Sequence, residues 1–332
     1  MTAEATCRLI SEEAHKGRGL SRDQALALLK IELGTRDMYD LFAAAAELSR
    51  SQWGSRGEIY AQVGINFERC SGNCSFCAMG SDGPVTADGL ELSAEEVVRR
   101  AREFEAAGAD HIFLMTTADY DFERFLDRSR TVRDALPAEV SMVANCGDFG
   151  PDEASALHEA GYRAAYHVHR LREGVDTGID PRDRLRTLQA IADSPLELFY
   201  CVEPIGPEHT AEELVDEMFR GLDYGVSVAA VMSRVPTPNT PKAVLGQISE
   251  LELAKICAVT RLVCGDTIRA MGVHEPSRLA LIAGANQIYA ETGSNPRDDR
   301  ADTSEGRGFS VEDAREMMAE VQLVPSRDSQ GL

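Results

Sequence analysis

The sequence has little lysine. Of 34 basic residues among 332, only Lys16, Lys30, Lys242 and Lys255 are lysines, and 55 acidic residues bring the formal net charge to −21. A field of that sign repels a polyphosphate backbone, so no nucleic-acid partner is expected. The acidic excess reads as solvated surface. No apolar run approaches the length of a membrane span, and the N-terminus lacks the basic-then-apolar pattern of a secretory leader. No membrane contact and a cytoplasmic location are therefore expected. Eight cysteines without such a leader fit a compartment in which thiols stay free. Phosphate loops of the G-x-G-x-x-G or P-loop kind are missing, and no spacing suggests a nucleophile triad. The length, with 43% hydrophobic residues, suffices for one large domain or two modest ones.

What the chain does have is Cys70-Ser71-Gly72-Asn73-Cys74-Ser75-Phe76-Cys77. Three sulfurs spaced C-x3-C-x2-C can point inward at one metal centre. A zinc site pairs two C-x2-C knuckles, often with histidine; no second knuckle is present and no histidine lies near in sequence. A disulfide framework fits badly in a chain this long. A plain electron carrier wants a fourth cysteine close by. Thiolates are the usual ligands of iron–sulfur clusters, and three of them leave one iron of a four-iron cube open for chemistry.

Around this loop the sequence alternates. Helical signals fill the first 57 residues: a Ser21/Gln24 capping box, a stripe through Leu28 and Leu29, and a stop at Gly34. Eight strand-like segments follow: 60–66, 111–115, 140–145, 164–169, 196–202, 226–232, 267–271 and 287–290. The helices between them open at signals such as Ser93/Glu96, Pro151, Pro181, Thr210/Glu213 and Ser310/Asp313. Short strands alternating with helices predict right-handed crossovers and a parallel sheet. Eight units predict an α/β (β/α)8 TIM-type barrel with an N-terminal helical extension, the cysteine loop lying at the C-terminal mouth. The expected layout is extension 1–57, barrel 58–325 and disordered tail 326–332.

The cysteine loop, with an aromatic residue just before its third cysteine, resembles the signature of the radical S-adenosylmethionine (SAM) enzymes. The resemblance implies a [4Fe–4S] cluster on Cys70, Cys74 and Cys77, with Phe76 near the adenine of SAM. It implies that the open iron chelates SAM. One electron, from a donor such as ferredoxin or flavodoxin, then yields a 5′-deoxyadenosyl radical that takes hydrogen from a small-molecule substrate. From about Ser21 to Asp298 the chain is similar to the biotin synthase-like group, which includes biotin synthase, methylornithine synthase and the [FeFe]-hydrogenase maturase. A homodimer is left open.

Further roles follow from the same resemblance. Glu203-Pro204-Ile205-Gly206-Pro207-Glu208 resembles the segment the family lays against adenine, which puts Ile205 there. Arg172 and Glu173 are expected to serve the ribose and methionyl group of SAM. His167 and His169 share a strand face, facing substrate or closing the barrel end. A substrate carboxylate would want a forked arginine, with Arg170, Arg234 and Arg269 as candidates.

Arg269 falls where biotin synthase has the arginine ligand of an auxiliary cluster. The cysteines that would complete such a site are mostly missing: Leu114 and Val143 stand at two positions, with only Cys201 and, three residues beyond Val143, Cys146 available. This disfavours sulfur insertion and favours a reaction that rearranges, cleaves or assembles a carbon skeleton. Sulfur insertion with an auxiliary cluster, and a non-catalytic iron–sulfur or zinc scaffold, are the alternatives.

Overall fold

A computed structural model describes residues 18–85 and 89–327, together with Glu12 and Lys16. The strands are β1 (Arg56–Gly64), β2 (Asn66–Phe67), β3 (Leu90–Glu91), β4 (His111–Met115), β5 (Ser141–Asn145), β6 (Tyr162–Tyr166), β7 (Glu197–Ile205), β8 (Val226–Ser233), β9 (Ala270–His274), β10 (Gln287–Gly293) and β11 (Val324–Pro325). The helices are α1 (Arg22–Leu29), α2 (Arg36–Trp53), α3 (Ala94–Ala107), α4 (Phe122–Ala135), α5 (Pro151–Glu159), α6 (Pro181–Ala192), α7 (Ala211–Asp223), α8 (Glu250–Cys264), α9 (Arg278–Ile282) and α10 (Val311–Glu320).

Strands β1 and β4 to β10 pair in sequence order, all parallel, and β10 pairs back onto β1, closing an eight-stranded barrel. The expected (β/α)8 architecture is the one found. Several anticipated caps are in place: Ser21 with Gln24, Thr210 with Glu213 and Ser310 with Asp313 form reciprocal capping boxes, and Ser93 caps α3. Each satisfies helix-end N–H groups that would otherwise lack partners. No helix among the described residues is long and apolar enough to cross a membrane.

Alternate residues of each strand point into the barrel. At its lower end Tyr60, Phe113, Phe199 and Tyr289 pack with ring centroids 5.6 to 6.0 Å apart and fill the interior. At the upper end the closing seam is tight. A Cβ on Gly64 would lie 1.9 Å from the Ser294 carbonyl oxygen, and one on Gly293, whose φ is +75°, would lie 2.2 Å from the Gly64 oxygen. Glycine at both positions lets β1 and β10 meet directly beneath the cysteine loop.

Helices α2 and α8 are joined by Arg261. Its fully buried guanidinium donates to the Ser49 hydroxyl, the Gly265 carbonyl and the Gln52 amide oxygen, and lies 4.5 Å from the centre of the Trp53 ring.

Several boundaries differ from the sequence reading: the first barrel strand, expected at 60–66, runs Arg56–Gly64, and the fifth and eighth extend to Ile205 and Gly293. The fourth barrel strand ends at Tyr166, so His167 and His169 lie beyond it. They pair with carboxylates, His167 with Asp148 and His169 with Glu217 of α7. The seventh starts at Ala270 rather than Thr267, because Gly265–Thr267 turns in a 3-10 helix after α8. Ser326 and Arg327, expected in a disordered tail, are fastened: Ser326 donates to the Gly57 carbonyl and Arg327 to Glu105. Residues 328–332 and most of 1–17 lie outside the described residues.

Candidate active site

The loop carrying Cys70, Cys74 and Cys77 is laced to four other barrel loops by hydrogen bonds. Gly178 N–H donates to Gly72 O and Ser75 N–H to Asp176 O, both after β6. Lys242 N–H, after β8, donates to Ser75 O, and Ala78 N–H donates to Pro296 O, after β10. From the loop after β4, Ala118 N–H donates to Cys70 Sγ at 3.4 Å, and within the cysteine loop Met79 N–H donates to Cys77 Sγ at 3.4 Å. Amide donors aimed at sulfur stabilise thiolate, the form that ligates metal. Burial above all pushes the Cys74 thiol up to about 11 and Cys77 to about 12. A metal cation among the three sulfurs is what would deprotonate them. Three thiols on one fixed loop, two already accepting N–H groups, fit a three-thiolate metal centre.

All three cysteines border one cleft of about 120 Å³ in the barrel mouth. Tyr166, Arg170, Arg184, Glu203, His274 and Arg297 supply most of its polar wall. Phe76 borders a side pocket that shares Cys74, Cys77, Arg170 and Glu203 with the cleft and adds Pro204, Arg234 and Val235. A larger hollow lies outside the barrel between α2 and α9, but it is bordered by no cysteine, histidine or carboxylate.

Behind the cleft, Glu173 has a side-chain exposure of 0%. It accepts the Arg170 N–H at 2.9 Å and the Thr177 hydroxyl, with Arg184 Nε 3.4 Å and Arg170 Nη1 3.9 Å away. Burial favours the neutral acid, but the two guanidiniums and the hydrogen bonds outweigh it and hold the Glu173 carboxyl below its usual range. Arg170 Nη1 and Arg184 Nε are buried without a hydrogen-bond partner. Both guanidiniums are ion-paired, Arg184 also donating to Asp148 at 3.2 Å, but their unfilled hydrogen-bonding capacity beside Cys74 fits an incoming anionic group. Glu203 faces the same space, accepts the Tyr166 hydroxyl and lies 3.5 Å from Arg170 Nε.

The other expected site residues are dispersed. Arg172, at φ +57°, turns away from the cleft and pairs with Glu213 of α7 at 2.7 Å. Ile205 is 1% exposed in the outer core, and Pro204 borders the side pocket instead. Arg269 lies at the opposite end of the barrel, just before β9. It pairs with Glu197 at 3.0 Å and Glu58 at 3.5 Å, its guanidinium carbon 5.1 Å from the Phe199 ring centre.

Cys201 sits two residues farther along β7 than Phe199, so the aromatic plug separates it from Arg269. Leu114 packs outward into the helical layer, while Val143 is in the plug. Cys146 packs against the outer core, and its neighbour Asn145 borders the cleft, bonded to Gln62. Cys146, Cys201 and Arg269 therefore do not converge.

Arg184, Arg297 and His274 were not singled out from the sequence. Arg184 carried no signal beyond its place on α6. His274 would have emerged only with the correct register of β9.

A family model described as the radical SAM superfamily matches residues 67–216. The biotin synthase of Desulforudis audaxviator is 31% identical over 269 residues, covering 78% of this chain and 80% of that protein. The biotin synthase of Pelotomaculum thermopropionicum is 29% identical over 323 residues, covering 92% and 96%. Among solved structures, methylornithine synthase superposes with a TM-score of 0.80 at 17% identity, over 97% of this chain and 98% of that one, a likeness of fold. With its cysteine loop over the mouth of a parallel barrel, the chain belongs to the radical SAM superfamily, in the biotin synthase-like group, whose members bind a [4Fe–4S] cluster and S-adenosylmethionine.

Proposed function

We propose that Cys70, Cys74 and Cys77 hold the cluster, that SAM lies in the cleft beside it with Phe76 flanking the adenine, and that the substrate is a small polar molecule in the barrel below. The observation that carries this reading is the convergence on one cleft of the three cysteines with Arg170 and Arg184, each of which keeps one buried nitrogen without a hydrogen bond. Bound there, cluster and SAM supply a 5′-deoxyadenosyl radical for hydrogen abstraction. Arg170 and Arg184 offer N–H groups to the methionyl carboxylate, and Glu173 fixes both. An electron donor such as ferredoxin or flavodoxin supplies the reducing equivalent.

Anaerobically reconstituted protein should carry about four irons per chain, give a reduced-cluster paramagnetic signal that shifts when SAM is added, and slowly release 5′-deoxyadenosine. A signal indifferent to SAM would count against the reading. Arg172→Ala should leave SAM affinity unchanged, because Arg172 is engaged with Glu213 outside the cleft; Arg184→Gln should weaken it about tenfold or more, the worth of one charge-assisted hydrogen bond. Equal affinities for the two variants, measured by equilibrium dialysis, would refute the assignment of Arg184.

The relatives named biotin synthase favour a second reading, sulfur insertion from an auxiliary cluster. We infer a carbon-skeleton reaction instead, because Cys201 and Arg269 are separated by the aromatic plug and Cys146 packs outward. The double variant Cys146→Ser, Cys201→Ser should retain the iron count and the yield of 5′-deoxyadenosine. A wild-type content of six to eight irons, roughly one further cluster, falling in that variant, would restore sulfur insertion.

A further inference from the structure

His274, the last residue of β9, is 7% exposed and borders the cleft. Its ring lies 3.5 Å from that of Tyr289, nearly parallel at 27°. Burial, with the Arg297 charge beside it, pushes the imidazole well below its usual range, so it is neutral and keeps one N–H to donate. Among the described residues neither ring nitrogen has a hydrogen-bond partner. The ring nitrogens are therefore available to a ligand in the cleft.

Arg297 enters the cleft from the loop after β10 and is held from behind. Its Nη2 donates to both oxygens of Glu291 at 2.6 and 2.7 Å, and its Nε lies 2.9 Å from Glu275. Asn295 braces this clamp, donating to Glu291 at 2.8 Å and accepting the Arg297 N–H at 2.9 Å. The remaining nitrogen, Nη1, meets only the Met232 thioether at 3.4 Å, a weak acceptor. The guanidinium is thus oriented, largely removed from water, and has one face unmatched.

We propose that Arg297 and His274 form a substrate subsite for the carboxylate of a short aliphatic acid. The inference rests on the radical SAM reading above and names the substrate class of that site. Arg297 Nη1 and the imidazole N–H each donate to the carboxylate. A cationic group in the same place would face Arg297 directly, and a neutral one would leave the charge unmatched. Glu203, the carboxylate that faces the cleft, already accepts from Tyr166 and lies near Arg170, so it does not compete for Arg297 through a direct hydrogen bond. Met232, Met115, Phe113 and Tyr289 border the remainder of the cleft and suit an alkyl chain.

The test uses butyrate, hexanoate and octanoate with the matching primary amides as probes, titrated calorimetrically into anaerobically reconstituted protein with SAM present. At least one acid should bind wild type about tenfold more tightly than its amide. Arg297→Gln should abolish that preference, and Arg297→Lys should restore part of it, as a point charge without the fork. His274→Phe keeps the stacking and should weaken the acid several-fold while leaving the amide unchanged. This variant decides the matter should Arg297→Gln fail to fold. Iron content and the SAM-induced shift of the cluster signal should be unchanged in every folded variant. No preference for any acid in wild type, or a preference that survives both Arg297→Gln and His274→Phe, overturns the subsite. Loss of the SAM-induced shift in wild type instead overturns the reading beneath it.

Discussion

Cys74→Ala is expected to abolish the brown chromophore, a band near roughly 400 nm in thiolate-bound iron–sulfur clusters, and to lower iron from about four to less than about one per chain. On the proposed assignment Cys74 is the middle ligand of a three-thiolate set, and a four-iron cube held by two protein sulfurs has two open irons and dissociates readily. The fold should survive. Cys74 Sγ makes only a long contact to Gly72 O at 3.6 Å, and the loop is held by backbone bonds that do not involve its side chain. Far-ultraviolet circular dichroism should therefore match wild type while SAM-dependent formation of 5′-deoxyadenosine is lost. A variant that keeps its iron shows that Cys74 is not a ligand.

Glu173→Gln should be nearly as damaging, by another route. Glu173 is the shared counter-ion of Arg170 and Arg184, both buried. Removing one partner of a buried ionic cluster leaves uncompensated charge and costs on the order of 3–5 kcal/mol. The amide also weakens the hold on both guanidiniums, which keep only Glu203 and Asp148 as partners, so SAM affinity should fall along with stability. The pH dependence has a definite sign. The folded carboxyl sits below its ordinary value of 4.5, so its contribution is fully present above that value and disappears as the pH falls through the folded value. Denaturant titrations at pH 7 should show the full deficit of the variant, narrowing toward pH 3. A deficit independent of pH would mean that the introduced amide disturbs packing rather than charge.

Much of this architecture was legible because local chemistry and fold agree. Ser21, Thr210 and Ser310 each sit three residues before a partner that completes the cap, and the caps fixed helix starts closely enough to count eight units. The cysteine spacing is contiguous and needed no tertiary information. Legibility failed where a side chain's role depended on strand register. Thr267-Ile268-Arg269-Ala270-Met271 reads as a strand because of its β-branched start, yet the strand begins three residues later. That shift moves Arg269 to the far end of the barrel and brings His274 into the mouth. Arg172 and Glu173 were read as a pair, but the left-handed conformation at Arg172 sends the two side chains in opposite directions. Arg297 lies in a loop without periodicity, and its clamp of Glu275, Glu291 and Asn295 comes together only when β9 and β10 lie side by side.

The lacing of residues 70–78 to four barrel loops bears on how the protein acquires metal. In a zinc finger the ligands are unordered until the ion arrives, so metal affinity and folding are one equilibrium and a chelator denatures the domain. Here backbone hydrogen bonds to Asp176, Gly178, Lys242 and Pro296 position the donor loop without using any metal-ligating atom. Little chain entropy remains to be lost on cluster insertion. Apoprotein and holoprotein should therefore share one shape and differ modestly in melting temperature, and iron should be removable and restorable through many cycles without passage through an unfolded chain.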